Sequence, residues 1–303
     1  MSSPASNAAM IKAMPAVFVL IWSTGFIVAK YGLPYAPPMS FLAIRYLLSL
    51  LCFFAWIALA RVAWPASRSQ WLHLGVTGIL IHAGYLGGVW SAIKGGMGSG
   101  LSALVVGLQP VLTAVWVTQM GDSSRSENRV SARQWLGLVL GLAGLLLVVS
   151  RKFGAGNEAT FFTLGCAVFA LLSITAGTLY QKRFVLPADV RSANAIQLGA
   201  ALLVTLPLAW LETEAVQWTP GFMGALAWSV LALTLGGSSL LYMLIQRGAA
   251  TAVTSLLYLV PPTTALMAWL LFGEAITLVT VAGTALTALG VSLVVRPARP
   301  PQH

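Results

Sequence analysis

Nine runs of 17 to 32 residues in this chain contain no aspartate, glutamate, lysine or arginine. They are Ala13–Ala29, Ser69–Ile93, Gly95–Gly121, Gln134–Ser150, Thr160–Gln181, Ser192–Leu211, Ala215–Gln246, Gly248–Gly273 and Ala275–Val295. A tenth, Pro38–Ala60, is interrupted only by Arg45. About 20 mostly apolar residues carry a helix across the hydrocarbon core of a bilayer. With 58% of the residues hydrophobic and 8% charged, against roughly 25% charged in soluble domains, too little polar surface remains to cover a globule in water. The sequence predicts an all-α polytopic membrane protein with ten transmembrane helices.

The chain also repeats itself. Displaced by 151 places, Ala16-Val17-Phe18 falls on Ala167-Val168-Phe169, Thr24 on Thr175 and Pro110 on Pro261. At a shift of 152, Ala43-Ile44-Arg45 falls on Ala195-Ile196-Gln197, and at 146 Gly137 and Gly144 fall on Gly283 and Gly290. Five spans per copy is an odd number, so the second copy enters the membrane upside down. The reading is one integral membrane domain of two inverted five-helix repeats, residues 1–155 and 156–303. Such repeats serve alternating access, because related halves can rock about a shared central site.

The formal charge of +10 reports orientation rather than a nucleic-acid partner. With the N-terminus inside, twelve of the 17 basic residues lie on the inner side, while Lys30, Lys94, Arg151 and Lys152 lie outside with Glu158, Glu212, Glu214 and Glu274. Basic loops stay cytoplasmic, so both termini are expected there. Lys12 leads into a retained first helix without a signal-peptide cleavage site. Cys52 and Cys166 lie in apolar spans without metal-ligand spacing, so no metal and no cofactor are expected. The connecting loops leave no room for an ATPase module.

Spans four and nine carry Pro110 and Pro261-Pro262 near their middles. A mid-helix proline removes a backbone hydrogen bond, and paired breaks in corresponding spans point to a central binding site. These two prolines are the candidate gates. Spans five and ten hold few polar side chains, and Gly137-xxx-Gly141 has the spacing that lets helices approach closely. They read as scaffold or subunit-contact elements, in a monomer or a homodimer.

Trp22-Ser-Thr-Gly-Phe26, the turn Pro34–Pro38 before Arg45-Tyr46, and the stretch from Gly248 through Pro261 to Phe272-Gly273-Glu274 resemble the EamA family of the drug/metabolite transporter superfamily. The resemblance covers nearly the whole chain. It departs at Met120-Gly121-Asp122, where the second copy has Phe272-Gly273-Glu274. It implies ten helices in two inverted repeats, a cavity lined by spans one to four and six to nine, and metabolite export across the bacterial inner membrane. Among its branches the chain is most similar to amino-acid exporters, including those for aromatic amino acids and paraquat.

A carrier of a small zwitterion needs donors for a carboxylate, acceptors for an ammonium and an apolar wall. The spans hold no carboxylate away from their ends, so an ammonium would meet carbonyls, hydroxyls or aromatic faces worth roughly 0.5–2 kcal/mol each. His82 lies deep in span three, one turn before Tyr85, and an ionisable group there is a candidate substrate contact. Trp22, Tyr242, Tyr258, Gln109, Thr24 and Thr175 complete the candidate binding set. Arg45 has two readings, a carboxylate contact through its planar fork or a structural residue that snorkels or satisfies carbonyls near Pro37-Pro38. Lys94 and Lys182 sit at membrane edges as solvated, snorkelling side chains. A carrier of phosphorylated or nucleotide-linked sugars would want clustered basic residues, and an enzyme a nucleophile–base pair or metal. Two further readings stay open at this point, a carrier of cationic drugs and a non-transporting scaffold subunit.

Overall fold

The computed structural model describes residues 4–120, 132–152, 158–237, 240 and 259–295. Among them every regular element is a helix: α1 (Pro4–Gly32), α2 (Pro38–Ala60), α3 (Arg68–Lys94), α4 (Ser99–Val106), α5 (Gln109–Met120), α6 (Ala132–Lys152), α7 (Phe161–Phe184), α8 (Val190–Trp210), α9 (Pro220–Gly237), α10 (Val260–Phe272) and α11 (Leu278–Val295). Six of these, α2, α3, α6, α7, α8 and α9, include stretches long and apolar enough to cross a membrane. Shorter apolar stretches lie in α1, α4 with α5, α10 and α11. The outward faces are as apolar as the interior, with Leu59, Phe161, Leu203 and Leu278 at least three-quarters exposed. That is favourable only against hydrocarbon.

Inside the bundle, α2 lies along α8 and α4 against α10. The ring of Phe41 lies 4.4 Å from that of Trp90, tilted by 41°, and meets Phe222 edge-on at 5.4 Å, joining α2, α3 and α9. Helices α6 and α11 pack on each other. On α6 and α11, Gly144 faces Gly283 while Gly137 and Gly141 face Gly290, so the two helices run antiparallel. A Cβ at Gly144 would stand 2.4 Å from the Gly283 carbonyl oxygen, and one at Gly290 2.4 Å from that of Gly137. Thr287 strengthens the contact by donating to the Gly141 carbonyl at 3.3 Å. The glycines that align in the sequence are therefore the ones on which the two helices touch.

Pro110 and Pro261 each stand second in a helix rather than mid-helix. The chain breaks at Gly107-Leu108 between α4 and α5. The break lies against the other repeat, since a Cβ at Gly107 would sit 2.9 Å from Cγ of Pro261.

One end of the bundle gathers residues 30–40, 94–100, 158–160, 211–221 and 273–277. The first four amides of any helix lack intrahelical partners. In the second half the helices starting here are capped from within: Thr160 by a capping box with Thr163, Phe222 N–H by Thr219 and Thr280 N–H by Thr277. In the first half α2 and α4 follow Pro37 and Gly98, which have no side-chain acceptor. Carboxylates from the second half serve them instead. Glu212 accepts from the amides of Met39 (2.8 Å) and Ser40 (2.7 Å) and from Ser40 Oγ. Glu274 accepts from Ser99 N–H (2.9 Å), from Gly100 N–H (3.4 Å) and from Lys30 Nζ (2.7 Å). Lys94 is not a free snorkelling side chain: it donates to the Leu33 carbonyl and pairs with Glu214. Both its partners are local to this end, so the ammonium is held there.

Burial alone would raise the Glu274 carboxyl, but the Lys30 ammonium and the Ser99 and Gly100 amides outweigh it and hold the group below its ordinary 4.5. The contribution of a depressed carboxyl is fully present above the ordinary value and is lost as pH falls through the lowered one. Glu274→Gln is therefore expected to cost on the order of 2 kcal/mol at neutral pH. The gap in thermal stability from the parent should persist to pH 5 and shrink below the ordinary carboxyl range. A gap that closes between pH 7 and 5 would contradict the clamp. Gly144→Ala should destabilise by about 1–3 kcal/mol through overpacking. Gly199→Ala, where a Cβ meets nothing within 4 Å, should not destabilise; thermal unfolding of the two variants in detergent compares them directly.

Candidate functional site

In the interior of α3 and at the C-terminal end of α9 the winding loosens into π-helix, at Ile79–Leu86 and Ser229–Gly237. Such segments are rare and recur at functional sites. The two begin 150 places apart and end 151 apart, which is the register of the sequence repeat. The wide turn in α9 is tied by Thr234 Oγ1, which donates to the Ser229 carbonyl five residues back at 2.9 Å. Beside the segment in α3, Gly78 brings the backbone against that of Gln197 on α8, where a Cβ would lie 2.2 Å from the carbonyl oxygen. Gly88 likewise lies against the Cys166 carbonyl of α7.

Two adjacent residues of α2 hold both segments. Arg45 Nε donates to Thr234 Oγ1 at 3.1 Å, and Tyr46 OH donates to the His82 carbonyl at 2.7 Å. Successive side chains on a helix diverge by about 100°, so the dipeptide reaches α9 and α3 at once. Arg45 is 6% exposed and Tyr46 wholly buried. Tyr85, Gln197, Ser49, Ser229 and Thr234 are buried around them, and His82 is partly buried with its ring 6.1 Å from that of Tyr46. Arg45 is close enough to act electrostatically on His82, Tyr46 and Tyr85, and the Gln197 side chain reaches His82. Among the described residues, Ser49 Oγ and Ser229 Oγ have no hydrogen-bond partner.

The structure brings His82, Tyr85 and Arg45 together. Trp22 is partly buried, lies 5.2 Å from the Phe18 ring and comes near Gly237 at the end of the α9 segment. Gln109 donates to Thr178 Oγ1 at 3.2 Å beside the α4–α5 break. Thr24 donates to the Ile21 carbonyl and accepts from Trp228 Nε1, on the side of α1 that meets that half-exposed indole. Thr175 donates to its own helix at the Leu171 carbonyl. Tyr242 and Tyr258 lie outside the described residues. Tyr46, Thr234, Ser229 and Gln197 were not among the candidates. Gln197 had a signal, since it is the residue on which Arg45 falls in the repeat, and Tyr46 adjoins Arg45.

No group of three or more His, Cys, Asp or Glu able to hold a metal occurs among the described residues. The site offers a guanidinium, hydroxyls, an imidazole, an amide and aromatic faces, which suit binding rather than covalent chemistry.

The EamA-like transporter family matches the chain twice, over residues 9–150 and 161–296. YvbV of Bacillus subtilis, named an uncharacterized transporter, is 27% identical over 92% of this chain and 89% of its own length. YedA of Escherichia coli K12, named an uncharacterized inner membrane transporter, is 28% identical over 84% of this chain and 80% of its own. A protein of Salmonella typhimurium named "probable amino-acid metabolite efflux pump" is 28% identical over 62% of this chain and 59% of its own. One crystal structure superposes with a TM-score of 0.61 over 92% of this chain and 94% of the other, at 17% identity, a likeness of fold alone. With both halves matched and nearly the whole length covered, this chain is a multi-pass membrane transporter belonging to the EamA-like transporter family of the drug/metabolite transporter superfamily.

Proposed function

We propose that the chain exports amino acids or similar small metabolites across the bacterial inner membrane by alternating access. It does so through ten spans in two inverted five-helix repeats, residues 1–155 and 156–303, with both termini cytoplasmic. The observation that carries this reading is the pair of π segments, set at the repeat register and bridged by Arg45-Tyr46. Loosened helices in matching places of two halves, tied to one polar centre, are what a rocking carrier needs at its fulcrum. The double family match and the antiparallel contact of α6 with α11 support the inverted arrangement. The amino-acid class rests on the Salmonella relative and on a centre that offers a cation, hydroxyls and aromatic faces without clustered basic residues.

In this orientation the end stitched by Glu212, Glu214 and Glu274 faces outward, and the state described is closed on that side. Release of a substrate to the outside requires those carboxylates to leave the α2 and α4 amides. At the opposite end the halves meet through the reciprocal pair of Gln70 with the Leu186 backbone, His73 with Tyr180 and Arg191 over the Trp56 ring. His82 and Tyr85 line the centre as substrate contacts, with Trp22 beside them and Pro110 and Pro261 at the flexible breaks.

Counterflow in proteoliposomes tests the proposal. Vesicles loaded with one unlabelled amino acid at a time should take up a labelled one, with neutral and aromatic amino acids exchanging. His82→Ala should lower exchange by roughly tenfold or more, the scale of one lost polar contact in a dry site. Exchange that survives in His82→Ala would remove His82 from the site. No exchange of any amino acid by folded protein would overturn the substrate class.

A further inference from the structure

Arg45 carries a charge in the interior of the bundle, and its mate in the repeat does not. At the shift of 152 that aligns Ala43-Ile44 with Ala195-Ile196, Arg45 falls on the neutral amide Gln197. Arg45 of α2 donates to Thr234 of the α9 segment, while Gln197 of α8 packs its backbone against Gly78 beside the α3 segment. The matching place in the second half is thus filled without a charge, and the charge at residue 45 is particular to the first half.

An added charge there is costly. A buried cation without a counter-ion is strongly disfavoured, and mid-span arginine is among the costliest residues on insertion scales. Arg45 does not lessen that cost by snorkelling. Its backbone lies seven residues into α2, whereas Thr234 lies fourteen residues into α9, about 20 Å along a helix that starts at the same end. The guanidinium is thus drawn toward the middle of the bundle. Nor does a carboxylate of the protein reach it. The five described carboxylates are occupied at the helix ends: Glu158 by Lys152, Asp189 by Arg191, Glu212 by Ser40 and the Met39 amide, Glu214 by Lys94 and Glu274 by Lys30. The remaining two, Asp122 and Glu127, belong to the segment between α5 and α6.

We infer that Arg45 is the anchor for an anionic carboxylate on the transported molecule, so that the site selects carboxylates over their neutral amides. Nε is the nitrogen committed to Thr234. Among the described residues the terminal nitrogens donate to no other side chain, and these two form the parallel fork that a carboxylate fits. Ser49 and Ser229, buried hydroxyls without a partner among the described residues, lie on the same two helices, α2 and α9. The inference rests on the transport reading above, and it names the group that the site recognises.

The test uses the full-length protein and pairs of probes that differ only at the carboxylate: L-phenylalanine with L-phenylalaninamide, L-leucine with L-leucinamide, and benzoate with benzamide. Ligand-induced thermal stabilisation reads binding, and counterflow reads transport. The parent should bind each acid at concentrations about tenfold or more below its amide. Arg45→Gln places at residue 45 the neutral amide that Gln197 carries at the matching place, and keeps a donor for Thr234. It should stay monodisperse with a nearly unchanged Tm, and the preference for acid over amide should fall to about unity. Thr234→Val, which releases Nε and retains the charge, should keep the preference.

Equal binding of acid and amide by the parent, binding of no acid by folded parent, or a preference that survives in Arg45→Gln would each overturn the inference. An Arg45→Gln protein that fails to fold, together with a parent that does not discriminate, would show that the charge is structural. Binding of benzoate over benzamide without binding of either amino acid would support the anchor while removing the amino-acid reading.

Discussion

Every helix begins with four amides that its own backbone cannot satisfy, and in this molecule two such sets are served across the boundary between the halves. The second-half helices at the acidic end carry Thr160, Thr219 and Thr277 as their own acceptors. Those of the first half, α2 and α4, carry none and take Glu212 and Glu274. An unserved amide at a buried helix start costs about as much as a lost hydrogen bond, and a carboxylate there also meets the positive end of the helix dipole. The consequence is mechanical as well as energetic. The halves cannot part at this end without stripping the caps from α2 and α4 together. At the opposite end the halves meet through Gln70 with the Leu186 backbone, His73 with Tyr180 and Arg191 over the Trp56 ring, and among the described residues no carboxylate there caps a helix of the other half.

The same division of labour recurs at the centre. A π turn widens the helix and disturbs the ladder around it, and each widened turn here is held by the opposite half or by its neighbour. Thr234 takes Arg45, the His82 carbonyl takes Tyr46, and the His82 side chain meets Gln197. Because Arg45 and Tyr46 are consecutive, a rotation of α2 acts on both segments at once. The glycine contact of α6 with α11 lies apart from this centre and brings backbones within van der Waals reach. A dry backbone contact of that kind resists separation while still permitting a small rotation, which suits a pivot.

Much of this was legible in the residues, and what escaped did so for physical reasons. Charge-free runs locate apolar helices because hydrocarbon demands them, and the Gly137-xxx-Gly141 spacing announced a close approach because only a missing Cβ allows one. Gly144, Gly283 and Gly290, known from the sequence only as repeat matches, share that contact. Pro110 and Pro261 were expected to kink their helices, whereas each stands second in one, Pro110 just after the Gly107-Leu108 break. Tyr85, His82 and Arg45 fell together as helical spacing and burial suggest. The π segments left no trace, because an extra residue in a turn alters no composition and shifts the apolar face only slightly. Nor do residue types tell which of four outer acids meets which lysine. Charge bias places a side chain on one side of a membrane, whereas its neighbour depends on how the helices assemble. Thr24 and Thr175 align in the repeat, yet each donates to a carbonyl of its own helix. A hydroxyl in a hydrocarbon-facing helix can always take that local partner, so alignment alone does not make it a ligand.

Where the two halves agree they describe a scaffold, and where they differ they describe a direction. Arg45 and Gln197 occupy matching places in the repeat, and of the two only Arg45 is charged. The charge stays with α2, and in the proposed cycle an anionic group held there remains on the first half while the second half turns against it. The rest of a bound molecule then extends toward His82, Tyr85 and Trp22, whose faces and hydroxyl accept a cation or an apolar side chain. Under the proposed inverted arrangement, Arg45, the one buried charge among the described residues, would give a substrate one orientation in a site that symmetry alone would leave with two.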